Sequence, residues 1–125
     1  YDRVIALQPN NALALNNLAW VAGRLGRSDA VALAERANAA APRQAPFIDT
    51  LAVLLSERKE HARAIELQKQ AVALQPGTPL FKLNLAKIYL NAEDKAAAKP
   101  LLEELKGMGD KFGGQAEVER LLQGL

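Results

Sequence analysis

Apolar residues recur along this chain at helical spacing, in paired runs separated by turn residues. Between Pro42 and Pro76, Ile48, Leu51, Ala52 and Leu55 fall at i, i+3, i+4 and i+7 and mark one face of a helix. Ala64, Leu67, Ala71 and Leu74 mark a second helix, with Arg63, Glu66, Lys69 and Gln70 on its solvated side. The scheme also precedes this block, as Leu15, Leu18, Ala19 and Ala22 followed by Ala30, Ala34 and Ala37. It follows the block as Lys82, Leu85, Ala86 and Tyr89, then Ala98 and Leu102. Residues 1–7 carry a further apolar helical pattern that ends in Leu7-Gln8-Pro9-Asn10-Asn11, a near copy of Leu74-Gln75-Pro76-Gly77-Thr78.

Proline just past the last apolar position cannot continue a helix, and the Asn, Gly or Thr beside it suits a turn and the next N-cap. This punctuation falls at Pro9, Pro42 and Pro76, at intervals of 33 and 34 residues. A period in that range is the signature of stacked helical hairpins. The chain therefore reads as all-α and as a single domain. Residues 1–9 form the second helix of a truncated repeat, 10–42, 43–76 and 77–106 are repeats, and 107–125 are a loop and a capping helix. That last helix is expected over residues 115–123, with Ala116, Val118, Leu121 and Leu122 apolar. From first-helix Leu to second-helix Ala is 13 residues for Leu51 to Ala64 and Leu85 to Ala98 but 12 for Leu18 to Ala30, so the turn around Gly26 is one residue short. Pro100, inside the last repeat helix, is expected either to delay that helix or to kink it. Because the chain opens at Tyr1 in an apparent mid-helix, it reads as a piece of a longer array.

Composition narrows the function. Half of the 125 residues are apolar, enough for a real core. Sixteen basic against fourteen acidic residues give a net charge of +2, and no basic stripe interleaved with aromatics is visible, which argues against nucleic acid as a partner. The absence of cysteine excludes disulfides and thiolate chemistry. No apolar run approaches the roughly 18 residues of a membrane span, so no membrane contact is expected from this segment.

The residues Leu15-x-x-Leu18-Ala19, Leu51-Ala52 with Ala64, and Leu85-Ala86-x-x-Tyr89 with Ala98, together with the recurring Pro, resemble the tetratricopeptide repeat. The large first residue is here Leu15, Ile48 or Lys82, the usual Gly is Ala19, Ala52 or Ala86, and the central turn has Lys59 in place of Gly. The resemblance implies a right-handed superhelical stack whose first helices line a concave face. More narrowly, the run from Leu85 to Leu90, the Asp94-Lys95-Ala96-Ala97-Ala98-Lys99 segment, the Gly109-to-Val118 ending and Asn16-Asn17-Leu18-Ala19-Trp20 resemble the C-terminal end of TPR-repeat lipoproteins of bacterial exosortase (PEP-CTERM) exopolysaccharide systems. That membership implies a periplasmic parent anchored through a lipidated cysteine outside this segment; the alternative is a cytoplasmic protein.

Catalysis has little support, and no cofactor or metal is expected. His61 is the only histidine and reads as a solvated turn residue without a second ligand at metal spacing. Ser28 and Ser56 have no evident base, and Glu57, Glu60, Glu103 and Glu104 read as surface carboxylates. By the family's geometry the inward positions are Asn16, Trp20 and Arg24, then Asp49, Val53 and Glu57, then Leu83, Lys87 and Asn91. These are the candidate binding residues for a protein or peptide segment. An amide, an aromatic and a cation at i, i+4 and i+8 make Asn16, Trp20 and Arg24 a candidate hot spot, against the alternative that Trp20 fills space between hairpins. Asn17, Thr50 and Asn84 occupy equivalent positions and are expected to hydrogen-bond between adjacent repeats. The family's carboxylate clamp needs Lys and Asn where this chain has Asn16 and Trp20, and Lys and Arg where it has Leu80 and Asn84, so it is absent. Competing with the scaffold reading is a purely structural one, in which the segment caps an array or self-associates through its truncated N-terminal face.

Overall fold

The computed structural model describes residues 11–109 and 113–125. The expected helix over residues 1–7, the turn at Pro9 and the loop residues Asp110, Lys111 and Phe112 lie outside the described residues. Among the described residues seven helices follow one another: α1 (Ala12–Arg24), α2 (Ala30–Ala40), α3 (Ala45–Glu57), α4 (His61–Leu74), α5 (Pro79–Asn91), α6 (Lys95–Lys106) and α7 (Gln115–Gln123). No strand occurs among the described residues. Side-chain caps start two of the helices, Asn11 Oδ1 accepting from the Ala14 amide at 3.0 Å and Asp94 Oδ1 from that of Ala97 at 3.1 Å. Pro79 opens α5 in the first turn, where its missing N–H is not needed.

Each first helix packs antiparallel on its second through small residues. Ala19, Ala52, Ala64, Ala86 and Ala98 are wholly buried and Ala30 nearly so, which lets the axes approach to about 8–10 Å. Gly23 serves the neighbouring contact between α1 and α3: a Cβ there would stand 2.3 Å from Leu54 Cδ2. One core cluster runs from Leu15, Leu18 and Ala22 through Val31 and Ala34 to Leu51, Leu55, Ala64 and Ile88, so it joins three successive hairpins. A second gathers Leu83, Ala86, Ala98, Leu102 and Leu105 around Val118 of α7. Val118 is fully buried there, Leu121 and Leu122 are half-buried beside it, and Ala116 is exposed, contrary to the apolar pattern expected of that helix.

The three turns within hairpins end the first helix in the same way. Gly26, Lys59 and Glu93 have φ of 73°, 64° and 64°, and the next residue's amide reaches back to the helix, Arg27 to Ala22 at 2.8 Å, Glu60 to Leu55 at 3.0 Å and Asp94 to Tyr89 at 2.8 Å. This is the Schellman arrangement, which favours Gly at the left-handed position. Lys59 and Glu93 adopt it against the steric preference of a side chain, at roughly 1 kcal/mol each. Replacing Glu93 by Gly should therefore raise the melting temperature slightly, a gain of up to about 0.5 kcal/mol once the extra chain entropy of Gly, about 0.5–1 kcal/mol, is subtracted. A lower melting temperature in thermal denaturation would refute that account of the turn. The missing residue of the first hairpin falls after the left-handed position: Ala30 is the first residue of α2, whereas its counterparts Ala64 and Ala98 lie in the fourth position of α4 and α6.

Three further expectations meet corrections. Leu74 ends the apolar stripe of α4 but is 38% exposed, while Gln68, on that stripe between Ala64 and Ala71, is completely buried. His61 is the first residue of α4 rather than a turn residue, and its Nδ1 is enclosed without a partner among the described residues. Pro100 does not delay α6, which runs through it from Lys95 to Lys106. No helix among the described residues is long and apolar enough to cross a membrane.

Candidate interaction surface on the first helices

The first helices of the three hairpins border a cavity of about 580 Å³. Trp20 of α1 forms one wall, Val53, Ser56 and Glu57 of α3 form the floor with Lys59 beyond them, and Asn84, Lys87, Ile88 and Asn91 of α5 form the other wall. Trp20 is 45% exposed. Lys87 Nζ lies 3.0 Å from Glu117 Oε1 of α7, whose other oxygen is 3.4 Å from Arg120. The cap thus reaches the edge of the cavity through a solvent-screened pair.

The candidate residues divide by their place along each helix. Trp20, Val53 and Lys87, at the middle position of each set, line the cavity, as do Glu57 and Asn91 at the later one. Arg24 is exposed outside it, and Asn16 is half-buried with its Oδ1 enclosed and without a partner among the described residues. Asp49 and Leu83, equivalent to Asn16, do not face the cavity. Leu83 is 4% exposed in the core beneath α7, which corrects its assignment as a binding residue. The reason is rotation: residues four apart on an α-helix are offset by about 40°, so an i, i+4, i+8 set sweeps about 80° around the axis. The first member turns toward the next hairpin.

Asp49 shows what that position does. Its Oδ1 accepts from Gln68 Nε2 of α4 at 2.7 Å and from Asn84 Nδ2 of α5 at 2.9 Å, and Gln68 Nε2 also donates to the Phe81 carbonyl at 2.9 Å. Burial pushes the Asp49 carboxyl above its ordinary value of 3.8, while hydrogen bonds from Asn84 and Gln68 and the charge of Lys87 pull it back. Seven residues later along α3, Asn91 Nδ2 donates to the Ser56 carbonyl at 2.6 Å and to Ser56 Oγ at 2.9 Å. The second and third hairpins are therefore joined by two polar contacts that flank the cavity. Of the residues expected to bridge repeats, Asn84 makes such a contact, whereas Thr50 donates to the Pro46 carbonyl within its own helix at 3.1 Å. Asn17 is half-buried on α1.

Sequence reasoning missed Gln68, Ser56 and Lys59. Gln68 was legible, because it sits at i+4 from Ala64 and i−3 from Ala71 on the buried stripe of α4. Ser56 and Lys59 carry no comparable signal. Among the described residues no three His, Cys, Asp or Glu side chains converge as metal ligands would.

A family profile described as tetratricopeptide repeat matches residues 1–30. No curated protein matches the sequence. Among solved structures, a crystal structure of MamA superposes with a TM-score of 0.76 at 20% identity, over 90% of this chain and 66% of that one. MamA AMB-1 gives 0.73 at 21% identity over 89% and 66% of the two chains, and MamA MSR-1 gives 0.71 at 22% over 88% and 64%. The chain spans just under two thirds of the length of these structures. At such identity the likeness is one of fold, and the fold is that of a tetratricopeptide-repeat solenoid, a right-handed stack of helix hairpins closed by a capping helix.

Proposed function

We propose that this chain is a non-catalytic interaction scaffold whose first helices bind a peptide or protein segment at the cavity between Trp20 and Lys87. The observation that carries this reading is the cavity itself. It draws residues from three consecutive hairpins, offers an exposed Trp, and is bordered by amides and by Lys59, Lys87 and Glu57. An aromatic anchor inside a polar rim is the composition in which binding energy concentrates. The mixed signs of the rim suit a polar peptide better than a polyanion. The setting we assign, a periplasmic PEP-CTERM or exopolysaccharide assembly, rests on the sequence resemblance alone, and proteins encoded beside the parent are the partners to test. Trp20→Ala is expected to weaken binding of the cognate partner by about 2 kcal/mol or more, and Lys87→Glu to slow association with a marked salt dependence. Calorimetric titrations in which both variants bind like the parent would reject this surface.

The structural reading is kept for a specific observation. Leu13 and Val21 of α1 and Leu25 just past its end are all exposed, an apolar surface that a second copy could cover. Light scattering across a range of concentrations decides it: a constant monomer mass excludes self-association.

A further inference from the structure

The opposite side of the molecule holds a second cavity of about 580 Å³, between the second helices α2 and α4. Glu35 and Asn38 of α2 border it on one side and Arg63, Leu67 and Gln70 of α4 on the other. The floor is left to Ile48 and Leu51 of α3 and to Leu67 of α4. Arg63 reaches across the gap to Glu35 at 3.0 Å, near the start of α4. At the far end stand Arg43, Ala73 and Leu74, the last 38% exposed. The lining thus contains two arginines and one carboxylate, and that carboxylate is already engaged by Arg63.

Arg43 is held at φ 67°, the left-handed conformation that Gly adopts without penalty. A long cation stands there although the backbone favours Gly, beside a slot with an aliphatic floor.

We propose that this outer slot is a second docking site, separate from the Trp20 cavity, for an acidic amphipathic segment of a partner protein. Aliphatic side chains of that segment insert over Ile48, Leu51 and Leu67, and a neighbouring Asp or Glu pairs with Arg43. The excess of positive charge in the lining selects the acidic partner, and the slot between two helices is the shape that receives one apolar helical face.

The test is selection of a random peptide phage library on the native chain. Enriched peptides are then labelled and their affinity measured by fluorescence polarisation for the native chain and for Arg43→Gly, Ala73→Trp and Trp20→Ala. Arg43→Gly removes the cation at a position where Gly is conformationally favoured, and Ala73→Trp fills the slot from an exposed position, so both variants should melt no lower than the parent. The expected peptides combine Leu or Ile with Asp or Glu. They lose roughly tenfold or more in affinity with Arg43→Gly and with Ala73→Trp, and keep it with Trp20→Ala. Failure to enrich any peptide, or affinity retained in either Arg43→Gly or Ala73→Trp, overturns the proposal. Peptides sensitive to Trp20→Ala alone would do so while supporting the inner cavity.

Discussion

Leu55→Ala is expected to destabilise the chain by about 2–5 kcal/mol and to lower its melting temperature by on the order of 10 °C or more. Leu55 is completely buried in the cluster that joins the three hairpins, which also holds Leu18, Leu51, Ala52 and Ala64. Those neighbours belong to tightly packed helices and cannot collapse into the space, so the cavity term adds to the lost transfer energy. Since one cluster spans α1 to α5, the whole melting curve should move rather than split into a weak and a strong half. Leu74→Ala, at the exposed end of the neighbouring helix, should cost about 1 kcal/mol or less. Equal losses for the two variants would contradict the packing described.

Asp49 gives the second large effect, and its sign depends on what replaces it. Asp49→Ala leaves the Gln68 amide group and Asn84 without their shared acceptor at a buried joint, which costs about 1–3 kcal/mol. Asp49→Asn keeps a carbonyl oxygen for both donors and has no charge to desolvate. Burial raises the folded-state pKa of Asp49 above its ordinary 3.8, so the folded protein holds this proton more tightly than the unfolded chain does. Its contribution to stability is fully present below the ordinary value and is lost as pH rises through the raised one. The Asn variant escapes that loss. It should be more stable than the parent at neutral pH, with the advantage shrinking on acidification toward 3.8. Urea unfolding of both proteins across that range is the measurement, and an Asn variant weaker than the parent at neutral pH would show that the charge itself holds the joint.

The hairpin architecture was legible because it rests on spacing. Ile48, Leu51, Ala52 and Leu55, and likewise Leu15, Leu18, Ala19 and Ala22, recur at helical intervals in the sequence and are all buried in the structure. The helix over residues 115–123 was legible for the same reason. The candidate surface was less so. Family positions named Trp20, Val53, Glu57, Lys87 and Asn91, which border one cavity, but also Asp49 and Leu83, which the sweep of an i, i+4, i+8 set carries into the joint and under the cap. The burial of Leu83 depends on α7 lying over it, a contact between distant parts of the chain that periodicity does not encode.

What the sequence determined by itself is local: where helices start and stop, which face of each is apolar, and that the unit repeats every 33 or 34 residues. These follow from hydrogen-bond geometry and proline and glycine chemistry, which act over a few residues. Only the tertiary structure decided how the faces meet. It placed Gln68 at zero exposure beside Asp49, opened a cavity beside Trp20, and left a gap between α2 and α4. Those outcomes depend on side-chain volume and orientation summed over several helices, and the same apolar pattern is compatible with more than one such sum.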